Sequence, residues 1–286
     1  MIYFVKRSYG IQSKGENRMY QNLFDSHTHS DNSHDGHAPI SLMCEAAQAK
    51  GLMGFAITDH CECDDPKLNM INRFAAMQFE ILKAQAAFRE QMTVLCGIEL
   101  GQAIYAPEVA DALLDKYKFD FVLASLHNSP GNVDLCHVGF EGENVPALLQ
   151  SYYENMLKLA QWNKFDALAH LTYPLRYIQG LQGIPVDMKP YDDLIREILK
   201  TIAQNGKAIE INTSTLRQGL GVTMPSLEYV KWFKELGGEY VTIGSDAHWS
   251  KDIGSHLDVG MDMLKEAGFD YFTVYRRRQP TTLKII

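Results

Sequence analysis

Short apolar runs recur along this chain and alternate with longer segments in which apolar residues return every three or four positions. Parallel strands covered on both faces read as continuous apolar runs, whereas a helix packed on one side keeps a single apolar stripe. The runs predict strands at Asn22–His27, Met53–Thr58, Thr93–Ile98, Asp120–Ser125, Phe165–Ala169, Lys207–Asn212 and Tyr240–Gly244. The periodic segments predict helices at Ile40–Lys50, Ile71–Gln91, Pro107–Tyr117, Val145–Trp162, Tyr191–Gln204 and Ser226–Leu236. Strand and helix in alternation imply βα units around a parallel sheet. With no linker or composition shift between them, the seven strands predict one closed or nearly closed α/β barrel. A doubly wound open sheet would carry a glycine-rich phosphate loop after its first strand; that position holds His27-Thr28-His29. The segment Tyr271–Ile286, with Arg276-Arg277-Arg278, reads as a last strand followed by an exposed basic end. Residues 1–18 read as a ragged, disordered extension ahead of a single barrel domain at 19–286.

Composition narrows the class. The 286 residues include 46% hydrophobic and 22% charged positions, ordinary for a globular domain. A chain of this size buries a substantial core without needing a disulfide or metal to fold. The formal charge of −8 argues against a nucleic-acid binder, which needs a basic footprint. Five cysteines without a spaced framework fit a reducing, cytoplasmic setting. Cys61-x-Cys63 is one residue too short for a zinc knuckle and reads as two ordinary thiols. No run approaches the ~18 apolar residues of a membrane span, and the start MIYFVKRSYG has no apolar stretch after it to make a signal peptide.

The residues just past each expected strand carry the chemistry. They are Asp25-Ser26-His27-Thr28-His29, Asp59-His60, Glu99, His127, His170, Asn212-Thr213-Ser214 and Asp246-Ala247-His248. In a parallel barrel the carboxyl ends of all strands lie on one face, where catalytic groups collect. Six of the ten histidines, with Glu99 and Asp246, thus share one mouth. His27-x-His29 and Asp246-x-His248 each point two ligating groups to one side, since alternate strand residues share a face. Imidazole and carboxylate suit zinc, manganese or iron, and clustered thiolates are missing. The pattern points to a polynuclear metal site. Asp25, Asp59 and Glu210 are placed to orient ring N–H groups of ligating histidines.

The H-x-H pair, T-D-H at the second strand, G-I-E at the third, S-L-H at the fourth, the later A-H-L and the terminal G-S-D-A-H resemble the polymerase and histidinol phosphatase (PHP) family, in the family's motif order. Within it the chain is most similar to histidinol-phosphate phosphatases, through H-D-G-H-A, H-L-T-Y-P-L-R and E-I-N-T-S-T-L-R. The resemblance implies a distorted (β/α)7 TIM-like barrel with a trinuclear metal centre. It implies one ion held by His27, His29, Glu99 and Asp246, and a second sharing Glu99 and adding His127 and His170. A third would be held by His60, His248 and Asp35, with His37 the competitor for Asp35. His34 reads as a loop residue, and His137 and His256 match no motif.

The implied reaction is hydrolysis of L-histidinol phosphate to L-histidinol and phosphate, in histidine biosynthesis, by a metal-bridging hydroxide that attacks phosphorus. Arg176, six residues after His170, and Arg217, five after Asn212, are candidate phosphate clamps, because an arginine fork matches two phosphate oxygens. Asp246 and His248 are the nearest donors for the leaving alkoxide. The expected partner is a small phosphate monoester, with no nucleic acid and no membrane; the oligomeric state is not specified. Other readings are a PHP phosphoesterase acting on a nucleotide, a sugar phosphate or a phosphotyrosyl peptide, or a non-catalytic metal-binding interaction module. A cationic substrate would call for acidic or aromatic loop residues, such as Glu62, Asp64, Asp65, Tyr105 and Glu141.

Overall fold

All seven expected strands are present in the computed structural model, which describes residues 20–129 and 133–286. The extension expected over residues 1–18 lies outside the described residues. The strands are β1 (Phe24–Thr28), β2 (Gly54–Ile57), β3 (His60–Glu62), β4 (Thr93–Gly101), β5 (Phe121–Ser125), β6 (Ala167–Leu168), β7 (Ala208–Asn212) and β8 (Tyr240–Gly244), followed by β9 (Tyr271–Arg276) and β10 (Gln279–Lys284). The helices are α1 (Ile40–Ala49), α2 (Phe74–Phe88), α3 (Pro107–Lys116), α4 (Val145–Trp162), the single turn α5 (Tyr173–Leu175), α6 (Asp192–Gln204), α7 (Leu227–Glu235) and α8 (Leu257–Glu266).

The parallel sheet runs β1-β2-β4-β5-β6-β7-β8. Strands β2 and β3 act as one strand with a break: both pair with β4, β2 at Thr93–Cys96 and β3 at Glu99–Gly101. At the break, the Glu99 N–H is shared between the carbonyls of Thr58 and Asp59 at 3.2 Å each. Among the described residues, the barrel closes only at the carboxyl ends of its strands. There the Asp246 N–H donates to His27 O and the His29 N–H to Ala247 O, both at 2.8 Å. The closure therefore runs through the residues expected to carry chemistry.

Amphipathic helices wrap the sheet. In α6, Ile195, Ile198, Leu199 and Ile202 form the buried stripe and Asp192 and Asp193 occupy the first turn, where a helix favours negative charge. Helix α4 starts at Asn144, whose side chain accepts from the Ala147 N–H, and stops at Asn163 in the left-handed region.

The tail departs from the expected strand with an exposed basic end. It folds as the antiparallel hairpin β9–β10 with Arg277 and Arg278 in its turn. The Arg278 Nε lies 3.0 Å from both carboxylate oxygens of buried Asp166, and its Nη2 donates to Lys164 O. A buried carboxylate at the start of β6 needs a counter-charge, and the hairpin turn brings it one.

Candidate metal centre

The centre is built outward from Glu99, which is fully buried on β4. Its Oε1 lies 3.0 Å from His127 Nε2 and 2.9 Å from His170 Nε2. Its Oε2 lies 3.0 Å from His27 Nε2, 3.4 Å from His29 Nε2 and 3.1 Å from His60 Nδ1. The two Nε2 atoms of His27 and His29 are themselves 3.0 Å apart, and those of His127 and His170 are 3.4 Å apart. Asp246 Oδ1 completes the first group, 3.8 Å from His27 Nε2 and 3.5 Å from His29 Nε2. On the outer side, Asp35 Oδ2 lies 3.1 Å from His248 Nε2 and 3.6 Å from His60 Nε2.

Residues behind the rings fix their orientation. Glu210 Oε1 lies 2.6 Å from His27 Nδ1. Ser33 Oγ gives its proton to Asp59 at 3.0 Å and so accepts from His29 Nδ1, 3.2 Å away. Glu62 Oε1 lies 3.1 Å from His127 Nδ1. With each Nδ1 carrying the proton, the Nε2 lone pairs of His27, His29 and His127 turn inward upon Glu99. Lone pairs and carboxylate oxygens then face one another, bridged only where an extra proton or a metal ion lies between them. Such a shell repels itself unless cations lie within it, and nitrogen with oxygen donors suit zinc-like ions. The residues present fit such a group.

The backbone makes the approach possible. A Cβ on Gly244 would lie 2.3 Å from the His27 Cβ and 2.5 Å from Glu210 Oε1, so only glycine lets β8 pass this close. Asp246 adopts φ +52°, a left-handed conformation costly for a residue with a side chain. Its carbonyl is held by Arg217 Nη2 at 2.8 Å. Asp25 ties the same turn down by accepting from the N–H groups of Ser245 and Gly254.

The electrostatics call for positive charge. Burial alone would depress His27, yet the carboxylates of Glu210, Glu99 and Asp246 raise it well above the usual imidazole range. Burial likewise opposes the charged form of His60, but Glu99 and Asp35 hold it at about 9. His29 is pushed well below its usual value, by burial and then by His248 and His60. Despite complete burial, the surrounding imidazoles keep Glu99 and Asp246 ionised, far below the usual carboxylate range.

A domain model described as the PHP domain matches residues 25–214. The chain belongs to the PHP family. It is 32% identical over 259 residues to a Thermotoga maritima protein named probable histidinol-phosphatase, covering 88% of this chain and 95% of that protein. It is 26% identical over 248 residues to the histidinol-phosphatase of Lactococcus lactis, covering 86% and 91% of the two chains. Among solved structures, the L. lactis histidinol phosphate phosphatase complexed with zinc, L-histidinol and phosphate superposes with a TM-score of 0.78 at 24% identity, over 90% of this chain and 98% of that one. The likeness extends to the whole architecture: a nearly closed parallel barrel of seven strands with outer helices, in a single domain.

In this PHP barrel the expected residues separate into those that converge and those that stand apart. His27, His29, Asp35, His60, Glu99, His127, His170, Asp246 and His248 come together. His37 instead stacks on Trp249, with ring centroids 3.9 Å apart. Arg176 lines the cavity over the cluster, with Nη1 3.2 Å from Asp246 Oδ2. Arg217 lies behind Asp246 and keeps one buried Nη1 without a partner among the described residues. His34 and His137 line the cavity, whereas His256 is an exposed residue ahead of α8. Cys61 and Cys63 are buried free thiols. The reading of the strand ends gave Glu62 no place beside the cluster, although its Oε1 lies 3.2 Å from His60 Nδ1 as well as touching His127. The signal was there: His60-x-Glu62 alternates along β3, so both side chains share a face.

Proposed function

We propose that this protein is a metal-dependent phosphomonoesterase that hydrolyses L-histidinol phosphate to L-histidinol and inorganic phosphate. The observation that carries the reading is the convergence of four imidazole Nε2 atoms on Glu99 beneath a cavity of about 740 Å³ that also presents Arg176. The substrate comes from the relatives: of the two above, one is named histidinol-phosphatase and the other probable histidinol-phosphatase, and both are matched along most of their length. One structural neighbour of the same fold is described with zinc, L-histidinol and phosphate.

His27, His29, Glu99 and Asp246 would hold one divalent cation. Glu99 with His127 and His170 would hold a second, and His60, His248 and Asp35 a third. Zinc, manganese and iron all suit this donor set. When bound, such ions supply an acidified water as nucleophile and neutralise charge on the phosphoryl oxygens. Arg176 keeps its charge beside Asp246 and has N–H groups left for a phosphate oxygen, a charge-assisted contact. Arg217 enters the same proposal through its unpaired Nη1. As water adds to phosphorus, the bond to the alcohol oxygen breaks and that oxygen needs a proton. Asp246 is held ionised by its neighbours and is the poorer acid. We assign the proton to His248, whose Nδ1 lies 3.4 Å from Asp246 Oδ1, in the form whose Nε2 is free of the third ion.

The test is phosphate release by purified protein supplied with zinc, manganese or iron. Release from L-histidinol phosphate should exceed that from an aryl phosphate by an order of magnitude, and His127→Ala should abolish it while leaving the fold intact. Equal rates on both esters would remove the substrate, and undiminished turnover by His127→Ala would remove the site.

A further inference from the structure

Part of the cavity wall has no role in the phosphate chemistry. It comprises the end of β4 and the loop after β3. A Cβ on Gly101 would lie 2.4 Å from Glu62 Oε2, so the absence of a side chain there lets Glu62 lie over the strand. The next residue, Gln102, leaves the strand at φ +52°. Its backbone is fixed from both sides: its N–H donates to Ser125 O at 3.0 Å, and its carbonyl accepts from the Tyr105 N–H at 2.9 Å. The residue is 1% exposed and belongs to the cavity wall, and its buried Oε1 has no hydrogen-bond partner among the described residues. A buried acceptor left unmatched is rare and unfavourable. In a cavity wall it is an oxygen positioned for a donor on a ligand.

The charge along the same wall is negative. The Cys63 N–H donates to Gly101 O at 3.0 Å, so half-buried Asp64 and Gln102 each lie one residue beyond that bond, and both line the cavity. Asp64 Oδ2 accepts from Asn128 Nδ2 at 3.3 Å. Asp65 and Asp134 also line the cavity, whereas Arg176 is the only Arg or Lys among its described lining residues and already faces Asp246. Outside the histidine cluster, a second anionic group on a substrate is therefore repelled, while a cationic nitrogen is attracted.

We propose that Gln102 and Asp64 form a subsite for the alcohol part of the substrate, selecting phosphate monoesters whose leaving group carries a cationic nitrogen or a ring N–H. This rests on the reading above that the cavity hydrolyses phosphate monoesters. Gln102 Oε1 accepts one N–H, and Asp64 adds a charge-assisted contact.

The experiment compares kcat/KM for L-histidinol phosphate, 2-aminoethyl phosphate and propyl phosphate in the wild-type metal-loaded enzyme, Asp64→Asn, Asp64→Glu and Gln102→Leu. It also measures competitive inhibition by L-histidinol and by inorganic phosphate. The wild type should favour the amine-bearing esters. In Asp64→Asn and Gln102→Leu the ratio of amine-bearing to propyl ester should fall by about tenfold to a hundredfold, the range for losing a hydrogen bond to a charged group. Inhibition by L-histidinol should weaken by the same factor and that by phosphate by much less, and Asp64→Glu should recover part of the preference. If propyl phosphate and phosphate binding fall in proportion, the residues act only structurally and the subsite is overturned. If L-histidinol phosphate is hydrolysed but its preference survives both variants, the subsite fails and the proposed function stands. If other amine-bearing esters are preferred and the variants erase that preference, the named substrate fails and the subsite stands. Should no ester turn over, calorimetric binding of L-histidinol decides: no binding to the wild type overturns the subsite, and binding lost in Asp64→Asn supports it.

Discussion

Glu210→Gln preserves shape and removes one charge, which makes it a sharp probe of how the histidines are held. Glu210 is buried, and all three of its partners are donors: His27 Nδ1 at 2.6 Å, the His170 N–H at 2.9 Å and Asn212 Nδ2 at 3.3 Å. A glutamine has one acceptor and one donor end, so at least one N–H must meet an NH2 group. Leaving a buried donor unmatched costs about 1–3 kcal/mol. A few degrees of Tm should be lost in a domain of this size. The larger effect falls on His27, whose proton is no longer held on Nδ1 and whose Nε2 no longer turns a lone pair toward Glu99. Removing such a supporting carboxylate weakens metal binding by about 10–100-fold, or roughly 1.4–2.7 kcal/mol. The assay is zinc retention during dialysis against graded chelator, with thermal melts of the zinc-loaded and stripped proteins. If Glu210→Gln retains zinc as tightly as the wild type and melts at the same temperature, the inward-facing lone pairs are not what Glu210 provides.

Two further outcomes follow from the site. Asp35→Ala should remove one ion per chain, because Asp35 faces both His60 and His248, whereas His37→Ala should keep the full complement, since His37 stacks on Trp249; elemental analysis that ranks the two variants the other way would transfer the ligand to His37. In the stripped protein His60 is raised to about 9, so its ion pairs stabilise the fold below the unfolded value near ~6.5 and that contribution is lost as pH rises through about 9. A metal must displace this proton. Zinc affinity should therefore climb between pH 6 and 8 with proton release, measured by calorimetry in buffers of different ionisation enthalpy; a pH-independent affinity would contradict it.

Much of this site is legible in the sequence because the barrel converts position along the chain into position in space. Any residue directly after a strand arrives at the same mouth, so His27, Glu99, His127, His170 and Asp246 could be grouped once the apolar runs were found. Strand ends shift by up to three residues, the most at β4, which runs on past Ile98 to Gly101 and takes in Glu99 without moving it from the mouth. Residues that act through a neighbour are less visible. Glu62 sits on a three-residue strand that exists only because β2 breaks at Thr58-Asp59, and no apolar run announces β3. Gln102 matters through a left-handed φ and an unmatched oxygen, neither of which has a sequence signature. Arg217 acts through a neighbour as well: it holds the Asp246 carbonyl from behind, a position that depends on how the loop after β7 folds back upon β8. The tail reads from sequence as an exposed basic end because Asp166, the counter-ion of Arg278, lies more than a hundred residues earlier.

The central claim is that side chains from separate strands chelate adjacent cations around one carboxylate. The direct measurement is anomalous diffraction from crystals of the zinc-loaded protein. Peaks should lie on both sides of Glu99, one among His27, His29 and Asp246 and the other between His127 and His170. A cavity without anomalous density there, in protein that elemental analysis shows to carry zinc, would contradict the account.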